Sequence, residues 1–311
     1  MKYLVITNCT NRKSIDPEPK LSRMPTIKRG DDITTTSMEW VEKIISAKHN
    51  VIAGTLYQGR SIQDVKTTAN ILKNSDVYVI SAGLGLVNFD EPIPSYELSV
   101  SENAPFNKKL NSNNIPITSW WYSVNKARTG YGKPLSRLIN TGNYKRIFIA
   151  TSSSYLDLIA EDLWESSPSN LRKLIIFTSP FGQKKIPLEW HSQVAPYDER
   201  FEDKKSGYAG TRVDFPQRTL RHFVEELNLH TKPIESAREK IRNLIGKLKK
   251  PVLPPRKKVS DEEVIRLIKR HWKSQLGNSH KLLRHLRDID LVSCEQSRFK
   301  RLWHQVVQSK Q

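Results

Sequence analysis

The chain reads as an α/β protein: a mostly parallel sheet with helices on both faces, followed by a C-terminal basic helical module of helix-turn-helix-like pattern. Three observations predict this. Short apolar segments alternate with longer amphipathic ones over the first two thirds of the 311 residues, the rhythm of strands joined by crossover helices. The short segments are apolar at consecutive positions, as strands covered on both faces are. Charge is uneven: residues 232–311 hold 21 Lys+Arg and 8 Asp+Glu, a net of +13 out of +19 for the whole chain.

In chain order, the predicted strands are Tyr3–Thr7, Val51–Ala53, Val77–Ile80, Arg146–Ala150 and Leu174–Phe177, all short and rich in β-branched residues. The predicted helices are Met38–Ala47, Ile62–Lys73, Trp120–Ala127, Tyr155–Leu163 and Gln217–Leu227. Residues 10–36 and 192–212 are polar and weakly periodic and are expected as long loops. The string KKPVLPPRKKVSDEE places three prolines among basic residues, which favours an extended linker. The division expected is therefore residues 1–248 as the α/β domain, 249–259 as linker and 260–311 as the helical module. In that module Ser260 precedes Asp261–Trp272 with Glu263 three residues on, a capping-box pattern. His280–Asp288 comes next, and Cys294–Val307 sets Phe299, Leu302, Trp303 and Val306 on one stripe beside Arg298, Lys300 and Arg301.

Composition narrows the function classes. A net charge of +19 suits a polyanion, because each neutralised phosphate releases condensed counterions. No apolar run reaches the roughly 18 residues of a membrane span, and MKYLVIT is too short for a signal peptide. A cytoplasmic protein with no membrane partner is expected. Two cysteines, Cys9 and Cys294, make neither a disulfide framework nor a zinc site of the usual cysteine spacing. His191 and His222 have no partner at ligand spacing, so neither metal nor cofactor is expected.

Ligands of open parallel sheets bind beyond the carboxyl ends of the strands. The segments just past the predicted strands are small and polar: Asn8–Lys13 after the first, Ser81–Val87 after the third, Thr151–Tyr155 after the fourth, Thr178–Gly182 after the fifth. Four such segments converging make an anion-facing site.

NCTNRK at 8–13, LYQGRS at 56–61 and YVISAGLGLVNFDEPIPSYELS at 78–99 together resemble a family of small bacterial α/β proteins. That family carries Cys-x-x-x-Lys, Tyr-x-Gly and Ser-Ala-x-x-Gly-Leu-…-Pro-Tyr segments. It is similar in turn to peroxide-stress DNA-binding proteins and to phage-defence DNA glycosylases that remove glucosylated hydroxymethylcytosine. The resemblance covers about residues 1–160. It falls on Cys9, Lys13, Tyr57, Gly59, Arg60, Ser81, Gly83, Gly85, Asp90, Pro94 and Tyr96. Gly83-Leu84 stand where the family has a bulky residue and a tyrosine, which changes the shape of that loop.

The resemblance implies a DNA glycosylase excising a modified base in anti-phage defence, with modified phage DNA as partner. Asp90 is the expected catalytic carboxylate, to stabilise charge on the sugar or position water, with Asn8 reading the base edge. Cys9, Tyr57, Gly59, Arg60, Ser81, Gly83, Gly85, Tyr96, Ser152 and Ser153 are the expected substrate pocket, with Tyr57 or Tyr96 stacking on the extruded base. Packing is the more ordinary role for the Cys9 thiol and for Trp120-Trp121-Tyr122. Lys13, Lys204, Lys205, Arg212, Arg298, Lys300 and Arg301 are the expected DNA contacts. The alternatives are a non-catalytic DNA-binding protein, a nuclease, and a base exchanger acting on RNA or small molecules.

Overall fold

The structure is a computed structural model; it describes residues 2–27, 30, 32–252 and 254–309. Residues 28, 29 and 31 of the first expected loop, and Leu253 of the expected linker, lie outside the described residues. The chain divides into two compact units, Met1–Pro251 and Val252–Gln311.

The first unit opens with β1 (Lys2–Asn8), α1 (Ile33–Ile45), β2 (Asn50–Ile52), the single turn α2 (Ala53–Leu56), α3 (Arg60–Leu72) and β3 (Ser75–Ser81). Then come β4 (Gly85–Asn88), β5 (Pro92–Pro94), α4 (Pro105–Ser112), α5 (Ile117–Thr129), α6 (Pro134–Thr141) and β6 (Tyr144–Ala150). It closes with α7 (Ser153–Trp164), the short α8 (Pro168–Leu171), β7 (Leu174–Phe177), the short α9 (Pro180–Gln183), α10 (Phe215–Glu225) and α11 (Ile234–Gly246).

Five strands form the main sheet in the order β4-β3-β1-β6-β7, parallel except for β4. At its centre Val5 lies between Val77 of β3 and Phe148 of β6. Side chains alternate across a strand, and here the alternation splits the core in two. Leu4, Ile6, Ile147, Ile149, Leu174 and Ile176 pack on one face with Trp40, Trp121 and Leu158 of α1, α5 and α7. Tyr3, Val5, Phe148, Ile175 and Phe177 pack on the other with Val65, Phe223 and Ile241 of α3, α10 and α11. That double burial is why the strands read as continuous apolar runs. Trp120 and Trp121 are core residues, their indole N–H groups donating to Ala82 O (2.8 Å) and Asp162 Oδ2 (2.8 Å).

Three differences from the sequence reading have local causes. Helix α1 begins at Ile33, five residues before Met38, because Asp32 caps it by accepting from Thr34 N at 2.9 Å. Val51 does not join the main sheet; β2 pairs antiparallel with β5 in a two-stranded ribbon. The glycine-rich stretch after β3 is not an open loop. Residues 82–84 turn tightly, and Gly85 starts an antiparallel strand pairing Ser81 with Gly85 and Tyr78 with Asn88. Gly85 has φ +71°, and a Cβ there would lie 2.0 Å from Asn125 Oδ1, so the position admits only glycine.

The second unit holds α12 (Asp261–His271), α13 (Ser279–Asp288) and α14 (Gln296–Gln308). They share a separate core of Val264, Ile268, Leu282, Leu286, Phe299, Leu302 and Val306. Ser260 caps α12, accepting from Glu263 N at 3.3 Å, whereas the Glu263 carboxylate turns to Arg266 at 2.7 Å instead of closing the box. Among the described residues no helix is long and apolar enough to cross a membrane.

Candidate functional site

The chain leaves β1 towards β3 and leaves β6 towards β7, on opposite sides of the sheet centre. Connections that part in this way open a crevice at the carboxyl ends of the two strands. Asn8, the last residue of β1, sits there and is buried. Its Oδ1 accepts from Thr151 Oγ1 (3.1 Å), Ser152 N (3.3 Å) and Gln217 Nε2 (3.2 Å), and its Nδ2 donates to Cys9 O (2.9 Å). The amide is thus committed to holding β1, β6 and α10 together, and reading a base edge would require breaking these bonds. Gln217, fully buried on α10, also donates to Thr7 Oγ1 (3.0 Å) and Ala150 O (2.9 Å). Its Oε1, and Oγ1 of Thr178 just past β7, are buried without a hydrogen-bond partner among the described residues. Ser152 and Ser153, at the start of α7, are partly exposed at this edge.

The segments after β1 and before α3 are tied to each other. Lys13 bridges Tyr57, Gln58 N donates to Arg12 O at 3.0 Å, and Ser14 N donates to Leu56 O at 2.9 Å. Gly59, at φ +115°, lets the chain turn straight into α3. Arg60 is therefore carried to the carboxyl side of β1.

Beneath these segments lies a hydroxyl and thiol cluster. Cys9 Sγ is 3.0 Å from Tyr155 Oη, Tyr57 Oη is 3.0 Å from Tyr96 Oη, and Tyr96 Oη is 2.6 Å from Ser81 Oγ. Tyr57 and Tyr96 are completely buried, and burial pushes both phenols above their ordinary range. Neither ring offers a face to an extruded base, which corrects the stacking expectation. The reason lies in the packing: Gly83 lets the Tyr96 ring come so close that a Cβ would meet it at 2.8 Å. Lys13 Nζ sits 4.5 Å from the Tyr96 ring centroid. Loss of solvent lowers the Lys13 pKa, against the opposing charges of Cys9 and Glu97. Cys9 is a packed thiol, as its residue type suggested.

The later part of the loop expected at 192–212, which carries Lys204, Lys205 and Arg212, is tied down. Arg218 of α10, fully buried, donates to Glu202 Oε1 (2.6 Å), Asp214 Oδ1 (2.6 Å), Thr211 O (2.7 Å) and Tyr208 O. Arg60 Nη1 reaches Ala209 O at 3.1 Å. The outcome is a cleft of about 590 Å³ lined by Arg60, Lys205, Ser206, Gly207, Tyr208, Arg221 and His222, together with Glu226, Leu227 and Leu244. Lys204, Lys205 and Arg212 are exposed. Beside this cleft is a carboxylate that sequence reasoning missed. Asp64, one turn into α3 and 2% exposed, lies 3.1 Å from Arg221 and 4.0 Å from Arg60, while its Oδ2 has no hydrogen-bond partner among the described residues. Burial raises its pKa against the pull of Arg221 and Arg60. Gln217 and Arg221 are one turn apart on α10, so one helix face serves both crevice and cleft.

Asp90 is not brought to this edge. Because β4 runs back antiparallel to β3, Asp90 emerges at the amino ends of the strands. It is exposed and shares a shallow hollow of about 290 Å³ with Lys66, Asn70, Ser75 and Asp76. A carboxylate a few residues beyond a glycine turn reads as adjacent to it, and only the hairpin separates them. In the second unit, Arg298 and Arg301 both pair with Asp261 at 2.7 Å, and Arg298 also donates to Val259 O at 2.8 Å. They fasten α14 to the start of α12, while Lys300 stays exposed.

Asp64, Gln217 and Arg221 carried little sequence signal as site residues, being single polar positions within helices, whereas Tyr155 closed the polar segment expected after β6. An Asp four residues after Arg60, and an Arg four after Gln217, are the only hints the spacing offers. Comparison of the chain with protein-family models, with curated proteins and with solved structures finds no match.

Proposed function

We propose that the protein is a DNA glycosylase that hydrolyses the N-glycosidic bond of a modified base, glucosylated hydroxymethylcytosine of phage DNA being the substrate the sequence resemblance suggests. The observation that supports this most is the cleft: three cations from separate parts of the chain, Arg60, Lys205 and Arg221, line it together with Tyr208, and Arg221 lies 5.8 Å from the Tyr208 ring centroid. Cations suit the phosphates of a strand. A volume of about 590 Å³ is in the range of small-molecule and nucleotide sites.

In this reading the base leaves the stack at a cost of a few kcal/mol, which the phosphate contacts offset. Water adds to the sugar carbon, the bond to the base breaks, and the base departs with a proton. Asp64 stabilises the positive charge that builds on the sugar, in the role that the sequence alone suggested for Asp90. A phosphate drawn to Arg221 would release the Asp64 carboxylate from its ion pair. The three helices of the second unit serve as a helix-turn-helix-like DNA grip, with Lys300 and other exposed cations on phosphates.

The test is formation of abasic sites. Protein is incubated with unmodified DNA and with DNA containing glucosylated hydroxymethylcytosine, then alkali cuts any abasic position. Breaks confined to modified DNA are expected, slowed at least about a hundredfold by Asp64→Asn and unchanged by Asp90→Ala. Binding of both DNAs without breaks would move the assignment to the second reading, a non-catalytic DNA-binding protein, which the net +13 of residues 232–311 favours.

A further inference from the structure

The second unit carries a cluster that the glycosylase reading does not use. His271 ends α12, His285 lies in the last turn of α13, and Asp290 stands in the turn leading to α14. One ligand atom from each lies within 4.8 Å of the others. His271 Nε2 and Asp290 Oδ2 are 3.2 Å apart, and the two imidazole rings have centroids 4.1 Å apart. Tetrahedral zinc with bonds of 2.0–2.2 Å sets its donors about 3.3 Å apart, so His271 and Asp290 already have that spacing.

The alternative is an ordinary His–Asp hydrogen bond, and the geometry argues against it. His271 Nε2 and Asp290 Oδ2 are shielded from solvent, yet neither has a hydrogen-bond partner among the described residues. Despite their separation, the ring N–H would not point at the oxygen. Two acceptor atoms facing a third, shared atom have this arrangement. Two buried polar atoms left unpaired carry a desolvation cost that an ion would remove. The backbone is strained beside the cluster as well. Leu291 has φ +53°, a conformation in which a helix normally ends on glycine.

We propose that His271, His285 and Asp290 bind one divalent transition-metal ion of the zinc class, which staples α12 to α13 and to the turn beyond it. Three protein ligands leave a position for water or an outside donor. The need is physical: a unit of this size buries little core, and small domains gain independent stability from such staples. The sequence reading expected no metal from the cysteines or from His191 and His222; these ligands lie 14 and 5 residues apart, on two helices and a turn, outside any common spacing.

The full chain, without a histidine tag and stripped with chelator, is titrated with Zn2+ by calorimetry and with Co2+ by visible absorption. One ion per chain is expected, with the intense bands of tetrahedral cobalt and slowed amide exchange across residues 262–292. His271→Ala and the isosteric Asp290→Asn should each weaken binding at least about tenfold, by circular dichroism keeping their helices. No stoichiometric uptake by the unmutated chain would overturn the proposal. Uptake unchanged in both variants would overturn it equally.

Discussion

Two single residues show how much local chemistry the core demands. Gly85 joins a left-handed backbone to the close approach of Asn125, whose Oδ1 accepts from Leu86 N at 2.9 Å. Gly85→Ala should lower unfolding stability by about 2–3 kcal/mol, through backbone strain and the loss of that hydrogen bond; urea denaturation measures it. His222 is buried with Nδ1 2.8 Å from Tyr197 Oη, and burial lowers its pKa to about 4. The unfolded chain, titrating near pH 6.5, takes up the proton first. Its contribution is therefore fully present above that pH and is lost progressively as pH falls towards 4. Urea midpoints should drop over this window, and His222→Gln should flatten the part of the slope due to this group.

Among the elements, α10 does the most to organise the site. Gln217 seals the crevice at Asn8, Arg218 holds the 202–211 loop, and Arg221 faces both the cleft and Asp64. Arg218→Met would strand Glu202 and Asp214 without their shared partner. Breaking such a buried pair costs about 3–5 kcal/mol. We expect the thermal midpoint to fall and amide exchange at residues 202–211 to accelerate before the rest of the unit opens. The elements themselves were largely legible: every expected strand and helix exists, within a few residues at its ends, because both sheet faces bury continuous apolar runs. Helices α4, α6 and α11 give too weak a signal to be expected from sequence. The first two are eight residues each, too short for periodicity to speak, and α11 is rich in charge and lies beside the basic stretch.

For the whole molecule, the two units have separate cores. A chain ending at Pro251 should keep the thermal transition of the first unit. It would lose a net charge of +8 carried by residues 252–311. If the second unit grips DNA, the truncated chain should bind duplex more weakly and with a shallower dependence on salt, by about 0.9 in log–log slope for each phosphate no longer neutralised. Equal slopes for both chains would assign DNA contact to the first unit, through the cleft at Arg60 and Lys205.

By itself the sequence determined the parallel α/β architecture, the buried central strands, the basic C-terminal helices and the segments that meet at the sheet's carboxyl edge. Burial pattern and charge are written locally, residue by residue, so a linear reading recovers them. Which polar side chains share a site was decided only in three dimensions. One antiparallel hairpin carries Asp90 to the far end of the sheet, close packing at Gly83 encloses Tyr96, and Arg218 draws the loop that precedes α10 over α3 and α10. Chain direction and side-chain packing are set by how the segments fold onto one another, and a linear pattern of burial and charge does not encode them.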